Sequence, residues 1–139
     1  MNFAENQKII LAKAAQEAGT DAVVSDVIDM AGFSEITFIG GFGTKNAGNF
    51  AKVQQDTVAA GTSLADLTGT KCGAGEAHFA VSVVKPKERY VACVLTRGAS
   101  TTTTPLYAIL SKPKVGPVSS DLAGTLDAEV HISPEEGTA

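Results

Sequence analysis

Residues 78–98 read HFAVSVVKPKERYVACVLTRG and contain two apolar runs, Phe79–Val84 and Tyr90–Leu95. The residues between the runs, Lys85–Glu88, are polar and include a proline, a composition that suits a tight turn. Two apolar runs joined by so short a polar connector predict a β-hairpin. We expect the rest of the fold to be organised around this hairpin.

The second run carries apolar side chains at both odd and even positions, from Tyr90 to Leu95. Such a strand is expected at the centre of a sheet, covered on both faces by a second sheet, a loop or a neighbouring subunit. The two arginines of the chain, Arg89 and Arg97, bracket this run and are eight residues apart. On an unbroken strand this even spacing places both side chains on one face.

Short β-rich runs recur along the chain, separated by turn residues at intervals of about 8–12 residues. The pattern predicts a mainly β fold, a single-domain antiparallel β-sandwich or jelly-roll-like barrel of about seven to nine short strands. The domain spans residues 1–139, with residues 1–6 as an extended N-terminal arm and residues 133–139 as a polar tail. Further strands are expected at Ala22–Ile28, Glu35–Ile39, Phe50–Gln55, Leu106–Leu110 and Leu126–Ile132.

Two segments have less regular patterns. Residues 2–18 combine helical spacing of alanines with a possible short strand at Lys8–Leu11, and the sequence leaves both alternatives open. Residues 98–104 contain a run of four threonines, a low-complexity pattern that predicts an exposed loop.

The net charge of −4 provides no basic footprint, so nucleic acid is not an expected partner. The charge is unevenly placed, because residues 71–114 hold seven basic residues against Glu76 and Glu88. Residues 115–139 hold five acids and no Lys or Arg. Opposite patches of this kind pair within one chain or between subunits.

The glycine-rich stretch Gly40–Lys45 does not fit the pattern of a phosphate-binding loop. A Walker loop needs a glycine directly before its lysine and a helix after it, whereas here Thr44 precedes Lys45 and a strand pattern follows. No GxSxG motif is present, and the serines and threonines fall in predicted loops. We therefore predict no catalytic or cofactor-binding residue and interpret the chain as a protein that is not an enzyme.

The histidines His78 and His131 and the cysteines Cys72 and Cys93 contain no close pair with the spacing of a zinc site. No metal ligand is therefore predicted. Neither a secretory signal nor an apolar run of about 18 residues is visible, so no membrane partner is expected and both thiols are expected to be reduced.

Six segments occur together in one order along the chain: MNFAENQKI at the start, DMAGF (29–33), KVQQD (52–56), ADLTGT (65–70), VKPKERYVACVLTRG (84–98) and HISPEEGTA (131–139). The set resembles a family of small virion proteins of tailed bacteriophages, the capsid decoration or cement proteins. The chain departs from the family pattern at Ala92, where arginine is common, and after Asp56, where Thr57 and Val58 replace further acids and serines.

The resemblance implies a β-rich structural protein that binds the outer surface of a phage capsid and stabilises the expanded head by bridging neighbouring capsomers. It implies two partners, which are the major capsid protein and further copies of the chain in a homotrimer. It implies no cofactor. The expected location is the outer capsid surface of the virion, after synthesis in the bacterial host cytoplasm. Two alternatives stay open: a tail or head–tail connector component, and a small carbohydrate-binding sandwich.

Five residues are candidate partner contacts. Asn2, Phe3 and Glu5 belong to the predicted arm, in which Phe3 is the apolar anchor. Arg89 and Arg97 stand at the ends of the doubly apolar run, where their guanidinium groups suit acidic partners.

Overall fold

The computed structural model describes residues 3–114. Within these residues one short helical turn is followed by eleven strands, and every strand pairing is antiparallel. The elements are α1 (Phe3–Asn6), β1 (Lys8–Lys13), β2 (Gln16–Gly19), β3 (Val23–Val24), β4 (Ile28–Asp29), β5 (Glu35–Gly41), β6 (Phe50–Asp56), β7 (Ala65–Asp66), β8 (His78–Val84), β9 (Tyr90–Thr96), β10 (Thr101–Thr103) and β11 (Leu106–Ser111).

Two sheets form a β-sandwich, which confirms the predicted mainly β fold. The four-stranded sheet has the order β1-β11-β5-β8, and the five-stranded sheet has the order β3-β9-β6-β7, with β4 also paired to β9. Strands β10 and β2 form a separate two-stranded ribbon. Within residues 3–114 both larger sheets keep open edges, so they do not close into a barrel.

The core lies between the two sheets and follows the alternation of each strand. On β5, Ile36 and Phe38 point inward and are fully buried, as the alternation predicted. They belong to one apolar cluster with Val53, Val91 and Leu95 of the five-stranded sheet. Because each strand contributes alternate residues to this cluster, the period of two seen in the sequence is the signature of a half-buried strand.

Strand β9 is the centre of the five-stranded sheet, as its doubly apolar sequence predicted. Its inward residues face the core, and Ala92 and Val94 on the outer face are also buried, at 0% and 6% exposure. The register places Val94 beside Lys52 and Ala92 beside Gln54. Lys52 and Gln54 therefore lie next to these residues on the outer face, where we expect their aliphatic stems to cover β9.

The predicted hairpin between residues 79–84 and 90–95 is wrong. Strand β8 pairs with β5 in the four-stranded sheet, and β9 pairs with β6 in the five-stranded sheet. The connector crosses from one sheet to the other and begins at Lys85, which has a left-handed φ of 50°. The backbone N–H of Lys85 donates to the carbonyl of Ser34, 2.7 Å away, which directs the chain off β8.

The run of threonines is not an exposed loop, contrary to the prediction. Residues Thr101–Thr103 form β10 and pair with β2, and Thr101 and Thr103 are each only 3% exposed. Threonine is β-branched and suits a half-buried strand, so a low-complexity run of it is compatible with regular structure.

The arm predicted as extended begins instead with the helical turn α1, closed by a 3.0 Å hydrogen bond from Gln7 N to the carbonyl of Phe3. Of the two alternatives for the segment that follows, the strand is the correct one, because Lys8–Lys13 forms β1 and pairs with β11. The turn is attached to the sheet by a hydrogen bond between the Ser111 hydroxyl and the Gln7 side chain.

The strand predicted at Ala22–Ile28 is split into β3 and β4 by Ser25. The Ser25 N–H donates to the carbonyl of Cys93, and the Ser25 hydroxyl accepts a bond from Cys93 N, both at 2.9 Å. The buried Ser25 hydroxyl thus takes the place of a backbone carbonyl as the acceptor for Cys93 N, at the point where the strand is interrupted. This split and the unpredicted short strands β2, β7 and β10 bring the count within residues 3–114 to eleven, against the seven to nine expected. The strand predicted at Leu126–Ile132 and the tail at 133–139 lie outside the described residues.

Candidate functional site

Arg89 is held by Asp29 in a two-point ion pair. Its Nε donates to Asp29 Oδ1 at 2.7 Å, and its Nη2 donates to Oδ2 at 2.8 Å. The guanidinium also lies 5.3 Å from the centre of the Tyr90 ring. The pKa of Asp29 is lowered below its usual value, chiefly by the hydrogen bonds from Arg89. The predicted contact residue therefore fixes β4 to the start of β9.

Arg97 has a different set of partners. Its guanidinium donates to three backbone carbonyls, those of Asp21 at 2.7 Å, Glu17 at 2.8 Å and Thr101 at 2.9 Å. Glu17 and Asp21 lie in β2 and the turn after it, and Thr101 lies in β10, so the guanidinium connects both strands of the ribbon to the end of β9. The structure therefore does not bring Arg89 and Arg97 together, and each is a connector within the fold.

The three candidates near the N-terminus have different positions. Phe3 is 55% exposed at the start of α1 and remains a candidate apolar contact. Glu5 is half-buried in the same turn. Asn2 lies outside the described residues.

The glycines at the end of β5 serve packing. A Cβ on Gly40 would lie 2.9 Å from Leu106 Cδ1, and one on Gly41 would lie 2.5 Å from the carbonyl of Ala77. The following N–H groups are occupied, because Phe42 N donates to that carbonyl at 2.7 Å and Thr44 N donates to the Thr101 hydroxyl at 2.9 Å. The glycines thus allow two chain segments to approach closely.

The candidate metal ligands are not gathered into a site. Across residues 3–114, no group of three or more His, Cys, Asp or Glu side chains is placed to hold a metal ion. Cys72 and Cys93 are both free thiols. Burial raises the pKa of the Cys93 thiol to about 12, so that thiol stays protonated in the core. His131 lies outside the described residues.

One buried carboxylate has a structural role that the sequence did not reveal. Asp56 is 3% exposed, and its oxygens accept bonds from Ser63 N at 2.7 Å and Val58 N at 3.1 Å. These bonds, led by the one from Ser63, lower the pKa of Asp56. The Asp56 carboxylate thus holds the two ends of the loop after β6 together by accepting hydrogen bonds from backbone N–H groups of that loop.

The outer face of the four-stranded sheet is the feature that sequence reasoning missed. The register places Tyr107 of β11 between Leu11 of β1 and Ile39 of β5, and Ile39 lies opposite Ala80 of β8. These side chains form an apolar row across the whole sheet, with Ile39 42% exposed and Tyr107 38% exposed.

A second row runs parallel to the first. Ile109 lies between Ile9 and Thr37, and Thr37 lies opposite Ser82, with their hydroxyls hydrogen-bonded at 2.7 Å. Val84, at 60% exposure, extends the face at the end of β8. The signal for this face was present in the sequence, because the runs that form β1 and β11 are apolar at both parities, as β9 is.

The chain was compared with models of known protein families and with curated proteins, and neither comparison produced a match. No helix in the described part of the chain is long and apolar enough to cross a membrane.

Proposed function

We propose that the protein is a structural virion component that binds the outer surface of a phage capsid and stabilises the expanded head by bridging neighbouring capsomers. The observation that carries the proposal is the open apolar outer face of the four-stranded sheet, where Ile39 and Tyr107 lie in direct register. Contiguous apolar surface of this kind favours protein–protein contact. The resemblance to capsid decoration proteins supplies the class of partner.

The size of the face suits binding by several linked copies. Four strands about 4.8 Å apart, each six or seven residues long, span roughly 400 Å². A standard interface takes about 800 Å² from each partner, so one such face alone makes a weak contact. In a homotrimer that engages neighbouring capsomers, later contacts form at high effective concentration, and weak single contacts become stable attachment.

The first experiment adds the purified protein to expanded heads that lack it and measures bound protein by quantitative gel densitometry. We expect a copy number comparable to that of the major capsid protein, and greater resistance of the complete heads to heat and chelator. A copy number far below that of the major capsid protein would favour the connector alternative. Failure to bind, or equal resistance of both kinds of head, would contradict the proposal.

The second experiment uses a matched pair of variants. Ile39 and Val24 are both 42% exposed on strands, but Ile39 lies on the four-stranded sheet and Val24 on the five-stranded one. Ile39→Asp is expected to weaken head binding by about tenfold or more, because it places a charge in an apolar contact, whereas Val24→Asp leaves binding unchanged. Melting temperatures of both variants check that the fold is intact. Equal weakening by the two substitutions would remove the assignment of this face.

A further inference from the structure

A groove of about 450 Å³ lies at one end of the sandwich, between the two places where the chain crosses from sheet to sheet. One wall is residues 30–34, which lead from β4 in the five-stranded sheet to β5 in the four-stranded sheet. The other wall is residues 85–89, the crossover from β8 to β9. Lys114, just beyond β11, also lines the groove.

Backbone hydrogen bonds hold the walls of the groove in place. Lys85 N donates to the carbonyl of Ser34 at 2.7 Å, and Met30 N donates to the carbonyl of Arg89 at 2.8 Å. Lys114 N donates to the carbonyl of Gly32 at 2.8 Å, which attaches the strand exit to the same turn. The groove is therefore a built feature of the fold.

The lining of the groove is strongly basic. Lys85, Lys87, Arg89 and Lys114 line it together with a single acid, Glu88. Arg89 is engaged by Asp29 outside the lining. The three lysines are exposed, and none of them forms an ion pair with another residue in the 3–114 range. Their ammonium groups form a concentrated positive patch that suits an acidic ligand.

We propose that this groove binds the acidic segment 115–139 of the same chain. That segment holds five acids and no Lys or Arg, and it continues directly from Lys114 in the groove lining. Asp121, its first acid, is seven residues beyond Lys114, and seven residues span up to about 25 Å, enough to fold back onto the opposite wall.

The covalent connection makes weak charge pairs sufficient. An exposed ion pair contributes little by itself. A short tether, however, keeps the acids near the lysines at an effective concentration in the millimolar range. An acidic segment of a second copy lacks this advantage, so binding within one chain is favoured.

The experiment is zero-length carbodiimide cross-linking of the full chain, with an equal mixture of ¹⁴N- and ¹⁵N-labelled protein, followed by peptide mass spectrometry. We expect cross-links from Lys85 or Lys87 to acids of residues 115–139, within molecules of a single isotope. At about 1 M salt the Debye length falls to about 3 Å, and these cross-links should decrease several-fold. The Lys52–Asp66 pair, 2.8 Å apart on neighbouring strands, is the internal positive control.

Charge reversal supplies the second readout. Lys85→Glu with Lys87→Glu should abolish the groove cross-links, and adding Asp127→Lys with Glu129→Lys should restore them with reversed chemistry. Lys45 lies outside the groove lining and pairs with Glu76 at 3.3 Å, so Lys45→Glu should leave the groove cross-links unchanged. Cross-links between molecules of different isotopes would overturn the proposal. Detection of the Lys52–Asp66 control cross-link, with no cross-link from the groove lysines to residues 115–139, would also overturn it.

Discussion

The inner strands β9 and β11 both carry apolar residues on the outer faces of their sheets, but those residues are covered differently. On the five-stranded sheet, Ala92 and Val94 of β9 are 0% and 6% exposed and lie beside Gln54 and Lys52 in register, while Val24 at the edge of this face is 42% exposed. On the four-stranded sheet, Ile39 and Tyr107 remain open to solvent, at 42% and 38% exposure, and Ile109 is half-buried.

The difference separates two meanings of a doubly apolar strand. Apolar residues at both parities indicate that both faces of a strand favour burial, but they do not say what provides the cover. For β9 the chain provides it with long polar side chains that Asp66 fixes, at 2.8 Å from Lys52 Nζ and 2.7 Å from Gln54 Nε2. For β11 the face stays open, and we propose that a partner protein provides the cover.

The largest expected effect comes from the same substitution on the two faces. Ala92→Asp places a carboxylate at a fully buried position and is expected to lower the free energy of unfolding by at least about 3 kcal/mol. Ala80→Asp places it on the exposed face of β8 and should change that energy by less than about 0.5 kcal/mol. Urea unfolding of both variants measures the contrast. Similar losses would show that the two faces are equally covered.

A second pair of variants tests whether Lys52 stabilises the fold through its aliphatic stem, which lies beside Val94, or through its ammonium group, which pairs with Asp66. Lys52→Ala removes the stem beside Val94 and is expected to cost about 1–2 kcal/mol of unfolding free energy. Lys52→Met keeps most of the stem without the ammonium group and should cost less than half as much. Urea unfolding midpoints measure the difference, and the account of the cover fails if Lys52→Met is as harmful as Lys52→Ala.

The ribbon strand β10 offers a smaller contrast between two buried threonines. Thr101 Oγ1 accepts a hydrogen bond from Thr44 N, whereas Thr103 Oγ1 has no hydrogen-bond partner within residues 3–114. Thr101→Val is expected to destabilise by about 1–2 kcal/mol, because it leaves a donor unpaired. Thr103→Val should be neutral or stabilise by up to about 1 kcal/mol. Thermal unfolding distinguishes the two, and a loss at Thr103 equal to that at Thr101 would contradict the hydrogen-bond assignment.

Acid should weaken the cover on the five-stranded sheet. Hydrogen bonds from Lys52 and then Gln54 lower the pKa of Asp66 below its ordinary value of 3.8. Because the folded pKa is lower than the unfolded one, this contribution is complete above about pH 5 and is lost as the pH falls through the folded pKa. Asp66→Asn should flatten the decline in urea midpoint between about pH 5 and about pH 2. If the urea midpoint of Asp66→Asn fell as steeply as that of the unmodified protein, the loss of stability in acid would come from other carboxylates and not from Asp66.

Alternation within single strands was the part of the fold that the sequence predicted well. The inward positions Ile36 and Phe38, and the central position of the run Tyr90–Leu95, follow from a period of two and from apolar residues at both parities. The hairpin failed because a short polar connector suits a turn within one sheet and a crossover between two sheets equally. The left-handed backbone at Lys85 that distinguishes them has no signature in a lysine side chain.

The candidate site was less predictable, because it depends on contacts distant in sequence. Arg97 was expected to suit acidic partners, but its donors meet three carbonyls that only the folded chain brings together. The open face required knowledge of which strands are neighbours, since Leu11, Ile39 and Tyr107 are separated by many residues in sequence. The apolar residues at both parities of β1 and β11 indicate that both faces of each strand favour burial, but they do not show which strands lie side by side.

Carbene footprinting of the protein, free and on assembled heads, tests the central claim most directly. We predict that labelling of the peptides carrying Ile39 and Tyr107 falls severalfold on the head, while labelling around Val24 stays within experimental error of the free protein. Unchanged labelling at Ile39 and Tyr107, together with protection around Val24, would show that the five-stranded sheet meets the partner and would contradict the account.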